Sequence, residues 1–297
     1  MNPCYLNLTK YELRDKIKEI ANITEYCTLC PRNCKVNRLK GEKGFCDLDY
    51  LPKILSYGQH FGEENVLVGK FGSGTIFFTS CNLACVYCQN YEISQLKIGT
   101  KIDFRELANI MIELQNLGCL NINLVTPTPH VFSILKALEI AINRGLKIPI
   151  VYNTSSYDSI KTLKLLDNII DIYMPDIKYG SNENAIKYSK VRNYFDVAKE
   201  AVKEMHSQVG DLVIEEGIAK KGLLVRHLIL PNNLAVTEEV MKFVAGLSKN
   251  TFINLMDQYY PCHKAYEYPK LSRRITKKEH QKSIKLAKKY GLKRIYY

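Results

Sequence analysis

From Thr75 onward the chain alternates short apolar runs with longer amphipathic ones, and this rhythm constrains the fold more than any other feature. Strand-like runs fall at 75–80, 120–125, 148–153, 169–174, 223–230 and 251–256. They are short, β-branched or aromatic, and bounded by turn residues. Helical patterns separate them. Asp103-x-x-Glu106 opens one that ends before Gly118, and a second runs from about Val131 to Arg144, with Gly145 as its stop. Others read near 158–166, 194–208 and 237–248. Six β-then-α units predict an α/β fold with a parallel sheet, either open and doubly wound or a barrel, complete or partial. Residues 211–222 read as a small hairpin insertion around Glu216-Gly217, and Thr276-x-x-Glu279 opens a last, basic helix reaching about Tyr290.

The segment before Thr75 is different. Thr9-x-x-Glu12 is a capping box, followed by Leu13, Ile17 and Ile20 at helical spacing. Residues 27–52 then carry Cys27, Cys30, Cys34 and Cys46 among Pro, Gly, Asn and Lys, with little periodicity. The chain therefore divides into an N-terminal helix and Cys-rich extension, 1–70, and a barrel domain, 71–297.

Length and composition agree with a globular protein: 297 residues, 46% hydrophobic and 24% charged. No stretch approaches the roughly 20 apolar residues of a membrane span, and the N-terminus has no apolar signal region. A cytoplasmic protein with no membrane association is expected. In a reducing compartment clustered cysteines bind metal more often than they pair. Seven of the ten lie between positions 27 and 88, while Cys4, Cys119 and Cys262 read as packing or surface thiols.

The net charge of +12 is uneven. From Lys264 to the end, twelve Lys or Arg face two Glu, a balance of +10, which leaves +2 for the first 263 residues. Such a tail is either a solvated lysine-rich helix or a steering surface for an acidic partner, nucleic acid included.

In parallel α/β architectures the active site lies at the carboxyl ends of the strands. Here those ends carry Cys81, Thr126-Pro127-Thr128, Asn153 to Ser156, Asp176 to Lys178, Pro231 to Asn233, and Asp257-Gln258. A mouth for a polar ligand is the natural reading. At the first end, Cys81, Cys85 and Cys88 form C-x3-C-x2-C, with Tyr87 before the last cysteine. Structural zinc wants four protein ligands, and no fourth Cys or His stands nearby. Iron–sulfur clusters also take cysteines, usually four; three would leave one iron open to a small molecule. Zinc completed from afar and a redox disulfide are the rival readings.

This loop resembles the signature of the radical S-adenosylmethionine (SAM) superfamily. The resemblance implies a partial (β/α)6 TIM-like barrel in which Cys81, Cys85 and Cys88 hold a [4Fe-4S] cluster. SAM then chelates the open iron and is reductively cleaved to methionine and a 5′-deoxyadenosyl radical, which abstracts hydrogen from a substrate. It places Tyr87 near the adenine. Asp176-x-Lys178 and Arg226 are similar to cofactor contacts of the branch that includes pyruvate formate-lyase activating enzyme, with Arg226 approaching the methionine carboxylate. The branch implies an external electron donor and a glycyl-radical enzyme as macromolecular substrate. Radical modification of RNA or of another protein is the second enzymatic expectation, and an iron–sulfur electron carrier or zinc-organised binding module the non-enzymatic one. Many family members carry Gly-Gly-Glu after the second strand. This chain has Thr126-Pro127-Thr128 there, so Thr128 is the expected substitute contact to the cofactor.

Cys27, Cys30, Cys34 and Cys46 form a separate C-x2-C-x3-C-x11-C set that fits a closed four-thiolate site, either structural zinc or a second iron–sulfur cluster. Of the histidines, His227 alternates with Arg226 and is expected to face away from the mouth; His263 follows Cys262 beyond the sixth strand and is within reach of it.

Overall fold

The computed structural model describes residues 2–297. Ten strands form one sheet: β1 (Lys53–His60), β2 (Ser73–Phe78), β3 (Thr100–Lys101), β4 (Ile122–Val125), β5 (Ile150–Thr154), β6 (Ile172–Pro175), β7 (Val213–Glu215), β8 (Ile218–Leu228), β9 (Phe252–Met256) and β10 (Arg294–Tyr296). Their order is β10-β9-β8-β6-β5-β4-β2-β1-β3, with β7 hairpinned onto β8. The run from β2 to β10 through β4, β5, β6, β8 and β9 is parallel throughout. At the other side β1 pairs antiparallel with β2, and β3 with β1. The parallel run is a partial barrel, and the whole sheet has β3 and β10 as its edges.

Six parallel strands are those the sequence predicts, because their apolar runs are buried on both faces. Every residue of β4 and β6 is buried, as expected where helices cover one face and side chains fill the other. Capping positions the intervening helices. Asp103 accepts from the backbone of Arg105 and Glu106, and Glu106 accepts from Asp103 N at 2.7 Å. That helix, Phe104–Asn116, buries Leu107, Ala108, Ile110, Met111 and Leu114. Its neighbour, Val131–Asn143, ends where Gly145 takes a φ of 89°, a conformation that costs glycine little.

The N-terminal extension is packed into the same core. Helix Lys10–Glu25, capped by Thr9 and Glu12, buries Leu13, Ile17, Ile20 and Ile23 against helix Val131–Asn143. Each such side chain contributes about 1.5–3 kcal/mol before entropy is charged. Tyr5 Oη donates to Ile148 O at 2.8 Å, and Arg14 pairs with Glu139 at 2.7 Å. All ten cysteines are free thiols. Among the described residues no helix is long and apolar enough to cross a membrane.

Candidate active site

Three strand ends carry non-glycine residues in the left-handed region: Ser80 after β2 (φ 77°), Thr126 after β4 (φ 61°) and Ser156 after β5 (φ 63°). Each such conformation costs about 1–2 kcal/mol. These three lie where the sequence predicts the mouth, and the turn at Ser80 leads the chain from β2 into the cysteine loop.

A cavity of about 380 Å³ opens at these ends. Cys81, Cys85, Cys88, Tyr87, Asp176, Lys178 and Arg226 all line it. Residues separated by up to 145 positions are thus brought to one site. Thr128 is not among them. It is buried, donates to Asp158 Oδ1 at 2.7 Å and lies 3.3 Å from Thr154 Oγ1. The cavity-lining threonine of that loop is Thr126, because its left-handed φ turns the Pro127–His130 segment inward behind it.

Each thiol of the loop has a polar neighbour. Leu83 N donates to Cys81 Sγ at 3.3 Å, while Cys85 Sγ sits 2.9 Å from Ser189 Oγ and Cys88 Sγ 3.1 Å from Ser94 Oγ. The loop is pinned by Ala84 N to Ser189 O and Val86 N to Tyr188 O. Burial, reinforced by the neighbouring thiols, pushes Cys81 up to about 12. Burial likewise pushes Cys85 up to about 11, and Cys88 upward. Buried thiols this close ionise only beside compensating positive charge, which a thiolate-bound metal centre supplies. They do not converge on one point: among the described residues no three His, Cys, Asp or Glu group as they would round a single metal ion. A single ion needs every sulfur about 2.3 Å from one centre, whereas the thiolates of a cubane bind separate irons. The donor set fits a [4Fe-4S] cluster.

Opposite the thiols, Lys178 Nζ donates to Asp176 Oδ2 at 2.6 Å. Burial alone would lower the ammonium, but Asp176 and the Cys85 thiol outweigh it and hold Lys178 well above its ordinary value. Tyr194 braces this turn, its hydroxyl accepting from Lys178 N at 2.9 Å and lying 2.8 Å from Ser155 O. Tyr87 is buried, edge-on to Tyr179 and Tyr259 with centroids at 6.3 and 5.9 Å.

Arg226 lines the cavity with its guanidinium already engaged. Nε donates to Glu64 Oε1 at 2.8 Å and Nη2 to Glu64 Oε2 at 2.5 Å, and Nη2 also bonds Glu63 Oε2. Asn254 supports Glu64 at 2.6 Å, and Asn123 supports Glu63 at 2.9 Å. Burial would raise Glu64, yet Arg226 outweighs it and holds the carboxylate below its ordinary value. The sequence reading missed these glutamates. They lie 162 and 163 positions from their partner, in a loop with no motif, so no local signal marks them.

Of the histidines, His60 lines the cavity, whereas His130, His227 and His263 do not. His227 is buried between Ile177 O (2.6 Å) and Thr237 Oγ1 (3.0 Å), facing the helix side as expected. His263 stacks on Tyr91 at 5.2 Å, and His130 stacks on Phe78 at 4.7 Å.

A parallel partial barrel with a thiol-ringed cavity at its strand ends is an α/β architecture built to hold an iron–sulfur centre beside a polar ligand. Residues 75–215 match the family model described as the Radical SAM superfamily, and the chain belongs to that superfamily. Its chemistry is therefore the radical cleavage of SAM, with a [4Fe-4S] cluster and SAM as cofactors. The chain is similar to an uncharacterised protein of Methanocaldococcus jannaschii, 38% identical over 98% of this chain and 83% of that protein. Among solved structures it resembles the FeFe-hydrogenase maturase HydG from Carboxydothermus hydrogenoformans at TM-score 0.51 and 16% identity. That match covers 72% of this chain and 49% of HydG, so the chain spans about half the length of that structure. A second HydG structure matches with TM-score 0.51 and 12% identity, over 96% of this chain and 57% of that one. At these identities the likeness is one of fold.

Proposed function

We propose that the protein is an activating-enzyme-like radical SAM enzyme, abstracting hydrogen from a glycine of a partner protein. The observation that supports it is the shared cavity, where the cysteine loop faces the Asp176–Lys178 pair whose sequence resembles that branch's motif. Cys81, Cys85 and Cys88 would hold a [4Fe-4S] cluster, which, reduced by an external one-electron donor, would supply the electron for reductive cleavage of SAM.

The chain's own residues do the rest. The hydroxyls of Ser189 and Ser94 and the amide of Leu83 donate toward the thiolates and stabilise their charge. Asp176 would accept from the ribose hydroxyls of the cofactor, and Lys178 fixes that carboxylate's orientation. Tyr87 gives the adenine an apolar wall. Arg226, held rigid by Glu63 and Glu64, presents its remaining N–H edge to the methionine carboxylate. A reducing, cytoplasmic setting suits such a centre.

Anaerobic reconstitution with dithionite and SAM tests the chemistry: release of 5′-deoxyadenosine is expected, and a loaded cluster with no such product, even uncoupled, overturns it. For the substrate, a glycyl-radical partner labelled with deuterated glycine should pass deuterium into 5′-deoxyadenosine. Cleavage without that transfer removes the glycine reading alone.

A second reading rests on the final helix, Lys277–Lys289, which exposes Lys277, Lys278, Lys282, Lys285, Lys288 and Lys289 to solvent. A nucleic-acid substrate docked there would give a steep salt dependence of RNA binding that truncation at Ser272 abolishes; absence of RNA binding by the intact protein refutes it.

A further inference from the structure

The segment between the first helix and β1 holds a second group of thiols that the SAM chemistry does not use. Cys27, Cys30, Cys34 and Cys46 all line one small enclosed space of about 20 Å³. We propose that these four cysteines, which like the Cys81 set do not converge as they would round a single ion among the described residues, form one thiolate centre that takes an iron–sulfur cluster, built against the back of the Cys81 loop.

Three independent observations carry it. The first is chain geometry. Cys27 and the segment ending at Val36 close on each other through Cys27 N to Val36 O and Lys35 N to Cys27 O, both 3.0 Å. Phe45 N points at Cys34 Sγ, 3.4 Å away, as backbone amides do toward thiolates. A Cβ on Gly44 would meet Cys34 Cβ and Sγ at 2.8 Å, so only glycine lets the two ends of the segment approach this closely.

The second is strain without compensation. Asn33 and Lys35, on either side of Cys34, and Asp47, after Cys46, all have φ between 51° and 61°. Apart from Leu29 and Leu48 the segment buries little apolar side chain to hold them there. Four metal–thiolate bonds would over-determine the loop where packing does not.

The third is charge. Arg32 and Arg38 line the same space. Arg38 is 2% exposed and donates to the Leu48 and Asp49 carbonyls. Arg32 lies over the Phe45 ring at 3.6 Å and donates from Nε to Asn82 O at 2.9 Å, but its Nη2 is buried with no partner. A buried donor on a cation is costly unless it meets an acceptor. Four thiolates on a cluster cation leave a net negative centre, which supplies that acceptor and is neutralised by the two guanidinium groups.

The centre abuts the radical site. Ser80 Oγ bonds Cys46 O, and Asn82 lines the small space while its Oδ1 lies 3.8 Å from Cys81 Sγ. Residues 80 and 82, on either side of Cys81, are thus held by the four-cysteine segment. Resting on the SAM-cluster reading, this makes the second centre the support that positions Cys81 and a redox neighbour of that cluster.

The metal content of a Cys81→Ala/Cys85→Ala/Cys88→Ala variant, purified anaerobically, tests the site independently of SAM cleavage. About four iron with sulfide per chain is expected, and about one zinc in their place overturns the cluster assignment. Loss of that metal on adding Cys30→Ala and Cys46→Ala assigns it. Because those variants can fail to fold, alkylation of the unaltered protein is the second measurement. Cys27, Cys30, Cys34 and Cys46 should be protected together and become reactive together after chelation or oxidative bleaching. A folded triple variant without metal, or four thiols that alkylate independently before any chelator is added, overturns the proposal.

Discussion

Arg226→Met isolates the interaction that ties the N-terminal segment to the barrel mouth. The variant keeps much of the arginine's volume but leaves Glu63 and Glu64 without their cation, at side-chain exposures of 7% and 1%. An opposite charge about 4 Å away at an effective dielectric near 20 contributes roughly 4 kcal/mol. Desolvating arginine already offsets much of that in the native protein, so the net loss is the penalty of an unpaired buried carboxylate. Breaking such pairs costs about 3–5 kcal/mol. Asn254 and Asn123 still donate to the glutamates, which places the expected loss at the lower end, about 3 kcal/mol. Urea unfolding at pH 7 reads it as a shift of midpoint at unchanged slope.

The loss should shrink on acidification. In the native protein Glu64 titrates below its ordinary value of 4.5, so its contribution is complete above that value and disappears as pH falls through the folded one. Without Arg226, burial is opposed only by the Asn254 and backbone hydrogen bonds and raises the carboxyl, so protonation relieves the variant first. Adding Glu64→Gln to Arg226→Met should recover most of the stability at pH 7. A loss below about 1 kcal/mol, or no recovery in the double variant, would refute the view that this network is a desolvated ion pair.

Three further outcomes follow from the site. Asp176→Asn removes the charge partner of Lys178 and should weaken SAM binding to the cluster-loaded protein by about tenfold or more, the worth of one charge-assisted hydrogen bond; equilibrium dialysis showing unchanged affinity removes Asp176 from the cofactor site. Thr128→Ala should cost about 1–3 kcal/mol of stability and leave SAM affinity unchanged, because it strips a donor from buried Asp158, whose carboxyl burial already raises. Glu279→Gln should destabilise by roughly 1 kcal/mol through the capping box and the Arg273 pair. Those bonds, against a smaller burial effect, hold Glu279 at about 2. Its contribution is therefore present above 4.5 and is lost as pH falls toward 2, so wild type and variant should converge in acid denaturation.

What local sequence encodes, it encodes well here. The three capping boxes at Thr9, Asp103 and Thr276 all form, because a cap is made by residues three positions apart. The six central parallel strands lie within five residues of their expected bounds, since burial on both faces requires unbroken apolar runs. Three strands were silent. β1 shows no apolar alternation because only one of its residues is buried, and β3 and β10, of two and three residues, are edge strands defined only by their partners. The C-x3-C-x2-C loop and the Asp176-x-Lys178 pair were legible as cavity-lining groups because each is a short, fixed spacing at the end of an expected strand.

Tertiary structure alone decided which polar groups share the cavity. It brought Glu63 and Glu64 onto Arg226, seated Thr126 rather than Thr128 at the mouth, and set the four-cysteine segment against the back of Cys81. Those outcomes depend on where strands far apart in the chain come to lie beside one another. A sequence read locally carries the donors and acceptors of such contacts, but their pairing is settled by the sheet order, and that order is a property of the whole fold.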